Sequence, residues 1–225
     1  MSDSVRGAPH TAARPAQQSA EVRADRWVHG LGVGAGSIGV VALLIAAIRQ
    51  GDPWLVLGVA LYGLGLLAML TFSACYNLAT PSLFREKLRR FDHAAIFTMI
   101  AGTYTPFFLN RVGGSWGWGM LAFVWIVALA GAALAIVVPR RHEKLQLAAY
   151  LLLGWSVLAA SHQLGEHLSE AAIRLILIGG VIYSLGVPVH LWRNLRYSNA
   201  IWHGLVLIAA CCHYAAIMVG VVLAG

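Results

Sequence analysis

Seven apolar runs cross this chain, at about Leu31–Ile48, Trp54–Ala79, His93–Leu109, Trp116–Val138, Leu145–Leu164, Ala171–Leu191 and Ile201–Ala224, with short polar segments between them. At 1.5 Å per helical residue each can cross roughly 30 Å of hydrocarbon, the third only just. A backbone in lipid must satisfy its own polar groups, so runs of this length fold as helices. Charged residues are 11% of the chain, against roughly 25% in a soluble domain. The sequence therefore predicts an all-α, polytopic membrane protein: a seven-transmembrane helix bundle over residues 27–225. Residues 1–26, rich in Ala, Ser, Gln, Pro and Arg, have no apolar core and read as a disordered tail.

The formal net charge of +7 does not point to nucleic acid, because the basic residues sit in short clusters between the apolar runs. With seven spans, thirteen of the 16 Lys and Arg residues fall on one side: those of the tail, of 85–90, of 140–144 and of 193–196. Arg49, Arg111 and Arg174 fall on the other. The positive-inside rule then places the N-terminus in the cytoplasm and the C-terminus outside the membrane. Cys75, Cys211 and Cys212 all lie in apolar runs with no Cys-x-x-Cys pair, and are expected as small packing residues. Trp27, Trp54, Trp116, Trp118, Trp192 and Trp202 lie near span ends, as interface anchors do.

Polar residues inside such runs carry the functional signal. Ser73 and Asn77 stand one helical turn apart at the end of the second run, and Asp92 opens the third. Asn199 and His203 form a second i, i+4 pair at the start of the seventh. The predicted topology puts all five at the cytoplasmic end of the bundle. Three readings fit them: an interhelical hydrogen-bond network, a metal site, or a metal-free pocket. Thr98, Thr103, Tyr104 and Thr105 suggest that the third helix faces the bundle, with Pro106 ending or kinking it. His93 and His213 are expected in structural roles. His162, Glu166 and His167 miss the inverted zinc-protease spacing by one residue.

S-A-C-Y-N at 73–77, D-H-A-A-I-F-T-M-I-A-G-T-Y-T-P-F at 92–107, and S-N-A-I-W-H at 198–203 with a later C-H-Y resemble the hemolysin III proteins. These are bacterial relatives of the adiponectin and progestin receptors, and the resemblance covers about residues 28–222. It implies Ser-x-x-x-His on span two, Asp on span three and His-x-x-x-His on span seven, with the three histidines holding zinc and the Asp beside the metal-bound water. Ser73, Asp92 and His203 match that pattern, while Asn77 and Asn199 stand where the other two ligand histidines belong. An amide oxygen is a poor zinc ligand, so zinc is expected to bind weakly or not at all in that constellation.

Two functions follow as expectations. One is lipid homeostasis or receptor-like lipid sensing in the bacterial inner (plasma) membrane, with membrane lipids as partners and a lipid or fatty acid in the bundle. The other is a metal-dependent lipid amide or ester hydrolase, resembling the ceramidases of the wider superfamily, with Ser73 and Asp92 as its catalytic residues and His203 as its remaining metal ligand. A pore is disfavoured, since spans this apolar leave little to line a wide aqueous channel.

Overall fold

The computed structural model describes residues 10–137, 143–192 and 194–224, and among these residues the secondary structure is entirely helical. In chain order the helices are α1 (His10–Gln50), α2 (Pro53–Leu78), α3 (Leu83–Phe107), α4 (Gly114–Val137), α5 (Glu143–Trp155), α6 (Ser161–His167), α7 (Glu170–Leu191) and α8 (Ser198–Ile217). A 3₁₀ segment, Ser156–Ala160, joins α5 to α6, and π-helical turns extend α3 over Phe108–Val112 and α8 over Met218–Val222. The basic residues Arg140, Arg141 and Arg193, used to orient the spans, lie outside the described residues, as do the first nine of the tail.

Local chemistry sets the ends. Asp52 caps α2 by accepting from the Trp54 amide at 2.9 Å, and Pro53 occupies a first-turn position where its missing N–H costs nothing. Ser82 and Ser169 cap α3 and α7 by accepting from the amides of Arg85 and Ala172. Gly51 and Gly113 turn the chain with φ of 75° and 58°. Pro106 does not end α3, which runs on one residue and widens into the π turn. There the Asn110 side chain donates to the Pro106 carbonyl at 3.1 Å.

Six helical stretches are long and apolar enough to cross a membrane: Ser19–Gln50, Pro53–Leu78, Gly114–Val137, Lys144–His167, Glu170–Leu191 and Ser198–Val222. The protein is thus an α-helical, multi-pass membrane protein. α3 is not among the six, because Arg85, Glu86, Lys87, Arg89, Arg90 and Asp92 crowd its first turns and hydroxyls interrupt the rest. It is instead held between α2 and α4, with buried positions from Arg89 to Phe107. A helix enclosed by protein need not be apolar all round. Gly65 and Gly102 let α2 and α3 meet: a Cβ at Gly65 would lie 3.0 Å from the Thr98 oxygen, and one at Gly102 3.0 Å from the Leu61 oxygen.

Several expectations change. The tail does not extend to residue 26, since α1 is helical from His10 and buries Asp25 (7% exposed) and His29 (6%). α3 begins at Leu83, ten residues before the expected span, because Ser82 caps it and its charged turns lie along neighbouring helices. Arg90 reaches the Ile136 carbonyl at the end of α4 at 2.8 Å. Of the hydroxyls in α3, those of Thr98, Thr103 and Thr105 bond carbonyls of their own helix; two also link across, Thr105 accepting from Trp125 Nε1 of α4 at 3.1 Å and Tyr104 donating to the Leu153 and Gly154 carbonyls at 3.0 and 2.8 Å. Cys75 and Cys211 are exposed on helix surfaces and do not pack a core.

Candidate functional site

The N-terminal part of α1, the end of α2, the start of α3 and the start of α8 meet at one end of the bundle, above a cavity of about 190 Å³. Its wall is mostly apolar and aromatic, including Leu70, Ile96, Ile100, Phe107, Tyr150, Leu177 and Val206. His29, Ser73, Asp92 and His203 also line it. Trp202, expected as an interface anchor, lines this cavity and packs against His190 with ring centroids 5.0 Å apart.

Asp25 stands at the centre of the polar end. Its Oδ1 lies 2.7 Å from His203 Nδ1, bridging α1 to α8, and its Oδ2 lies 3.6 Å from Nε2 of His29, one helical turn further along α1. The two imidazoles face each other with centroids 4.3 Å apart and planes tilted by 50°. One donor atom from each of Asp25, His29 and His203 lies within 4.8 Å of the other two. His29 Nε2 is buried and has no hydrogen-bond partner.

On the α2–α3 side, Ser73 and the buried Asp92 both line the cavity. Asn77 turns back along its own helix, its amide donating to the Ser73 carbonyl at 2.9 Å and to Ser73 Oγ at 3.4 Å. Asn199 is exposed at the start of α8. Of the five residues singled out in the sequence, Ser73, Asp92 and His203 share the cavity wall, Asn77 supports Ser73 from behind, and Asn199 stands apart.

Neither Asp25 nor His29 was expected in the site: Asp25 fell in the assigned tail, residues 1–26, and His29 just ahead of the first apolar run at Leu31. The signal was present: an acid and a histidine at i, i+4 in D-R-W-V-H, the spacing that drew attention to Ser73 and Asn77. His93 and His213 tie helices together, His93 Nδ1 pairing with Gln146 Oε1 at 2.8 Å and His213 Nε2 with the Ile176 carbonyl at 3.2 Å.

The profile of the family described as Haemolysin-III related matches residues 20–214. This chain belongs to that family. It is 34% identical over 184 residues to a hemolysin-3 homolog of Bacillus subtilis (strain 168), covering 82% of this chain and 86% of the relative. It is 33% identical over 184 residues to hemolysin-3 of Bacillus cereus, covering 82% and 84%. The human monocyte to macrophage differentiation factor is 29% identical over 176 residues, covering 74% of this chain and 71% of that protein. No solved structure matches. The zinc pattern expected from the family resemblance does not fit Asn77 and Asn199 as they stand here: one amide is spent on its own helix, the other faces outward.

Proposed function

We propose that this haemolysin-III related protein is a lipid-responsive membrane protein that holds one acyl chain in the cavity between its helices. In this reading it crosses the plasma membrane seven times, with α3 as the enclosed seventh span and the N-terminus in the cytoplasm. The observation that carries the proposal is the cavity itself: a mostly apolar wall with Ser73, Asp92, His29 and His203 grouped toward one end. Ligand sites are mostly apolar with a few placed polar groups, and a fatty acid or amide-linked lipid has the same division along its length. At about 190 Å³ the cavity is many times the roughly 10–15 Å³ that one water needs, so it has room for part of an acyl chain.

The test is photocrosslinking of a diazirine fatty acid to the purified protein, with the adduct mapped by mass spectrometry. Adducts are expected on cavity residues such as Ile96 and Ile100, competed by unlabelled lipid. Gly154 lines the cavity, and a Cβ there meets nothing within 4 Å. Gly154→Phe should therefore fill space and abolish the adducts in a folded protein. Adducts confined to the outer helix surfaces would remove the reading.

A hydrolytic second reading has one observation of its own: a buried carboxylate, Asp92, and a hydroxyl, Ser73, share the wall of an apolar cavity. That is where the carbonyl of a bound amide or ester would lie, with Asp92 placed to accept a proton from water. Release of fatty acid from a short-chain ceramide, lost in Asp92→Asn, is the measurement that supports it.

A further inference from the structure

We infer that Asp25, His29 and His203 form a binding site for a divalent transition-metal ion of the zinc class, displaced from the positions of Asn77 and Asn199 onto α1. The inference does not depend on a lipid in the cavity. Its donors are two imidazole nitrogens and one carboxylate oxygen, a set that suits zinc and its neighbours better than calcium or magnesium, which prefer all-oxygen shells. Three protein ligands with a fourth position open is also the arrangement of reactive zinc sites, whereas structural sites close all four.

The geometry supports it. Zinc–ligand bonds of about 2.0–2.1 Å in a tetrahedron put donors roughly 3.3–3.5 Å apart. Asp25 Oδ1 lies 2.7 Å from His203 Nδ1 and Oδ2 lies 3.6 Å from His29 Nε2, and one donor atom from each of the three residues lies within 4.8 Å of the other two, so the donors already converge on one point to within a side-chain adjustment. Backbone movement is not needed, because Asp25 and His29 occupy one face of one helix and His203 enters from α8.

A hydrogen-bond network alone leaves one fact without a cause. His29 is 6% exposed, and its Nε2 has no hydrogen-bond partner although it points toward the Asp25 carboxylate. Buried polar atoms in native proteins are rarely left so. An ion between Nε2, the carboxylate and His203 Nδ1 would satisfy all three together. The open side of that position faces the cavity, whose wall His29 and His203 share with Ser73 and Asp92.

The experiment uses the full chain, purified in detergent without a histidine tag and stripped with a chelator. Zn²⁺ uptake is read by elemental analysis, and Co²⁺ uptake by the visible bands of a four-coordinate ion. One ion per chain is expected, with four-coordinate Co²⁺ bands. Asp25→Asn and His29→Gln, which keep side-chain size, should each weaken Zn²⁺ binding by more than about 100-fold, beyond the 10–100-fold expected when only a ligand's hydrogen-bond partner is lost. Size-exclusion and helical circular dichroism confirm that each variant is folded. If His29→Gln does not fold, the Co²⁺ spectrum of Asp25→Asn decides alone, because loss of one ligand must change the bands. The proposal is overturned if the folded wild-type chain takes up no Zn²⁺ at micromolar concentration. It is equally overturned if Asp25→Asn and His29→Gln bind like wild type, or if binding is instead lost in Asn77→Ala or Asn199→Ala.

Discussion

At Gly65 the backbones of α2 and α3 touch, and no side chain stands between them. A Cβ there would sit 3.0 Å from both the Met99 Cα and the Thr98 oxygen, atoms of a helix backbone that cannot yield as a side-chain tip can. Gly65→Ala should therefore destabilise the protein by about 1–3 kcal/mol, the usual cost of overpacking, seen as a lower melting temperature in detergent. Gly119 is the control: a Cβ there meets nothing within 4 Å, and Gly119→Ala should be neutral or stabilising by up to about 1 kcal/mol, as for any exposed helical glycine. Equal effects at the two positions would mean that α2 and α3 do not meet as described. Single residues also mark how far the site could be read from the chain. Ser73 and His203 were legible because each interrupts an apolar run, and Asp92 because it stands at the threshold of one, where a polar group is costly. Asp25 was not, because it precedes the first apolar run and a charge there looks ordinary until the helix is known to begin at His10. Asn199 went the other way. Its i, i+4 spacing to His203 was real, but spacing fixes a face only to within the width of a side chain, and Asn199 faces outward.

Among the elements, α3 shows where hydropathy alone gives out. The apolar run begins at His93, yet the helix begins at Leu83, because capping and neighbouring helices sustain turns that lipid would not. Ser82 Oγ accepts from the Arg85 amide at 3.1 Å, one of the donors that a helix start leaves unpaired. Ser82→Ala should cost about 1 kcal/mol, concentrated at this end of α3. Hydrogen exchange would then quicken over residues 83–90 and stay unchanged from Met99 onward, while Ser82→Asp, another good cap, should restore protection. Uniform acceleration along α3 would show that the first turns are not a separate unit. The glycines of α1 divide in the same way. Gly32 and Gly36 pack against Leu70 of α2, while Gly30 and Gly34 meet nothing within 4 Å, so of these two i, i+4 pairs of small residues only the first forms a helix contact.

For the whole molecule, the Lys and Arg residues divide unevenly between the two ends of the bundle, and that division predicts an orientation. Lys87 lies exposed on the first turns of α3, at the end that holds Asp25, His29 and His203. Ser115 lies exposed at the start of α4, at the opposite end. The excess of Lys and Arg belongs to the Lys87 end, so that end should face the cytoplasm. In a background with Cys75, Cys211 and Cys212 replaced, Ser115→Cys should react with a membrane-impermeant maleimide in intact cells. Lys87→Cys should react only after the membrane is opened. The connection to function is direct, since the polar end of the cavity lies at the Lys87 end. A lipid head or metal ion reaching it would then come from the cytoplasmic leaflet or the cytosol. If Lys87→Cys is labelled in intact cells and Ser115→Cys is protected, the bundle is inverted, and the site must draw its ligands from outside the membrane.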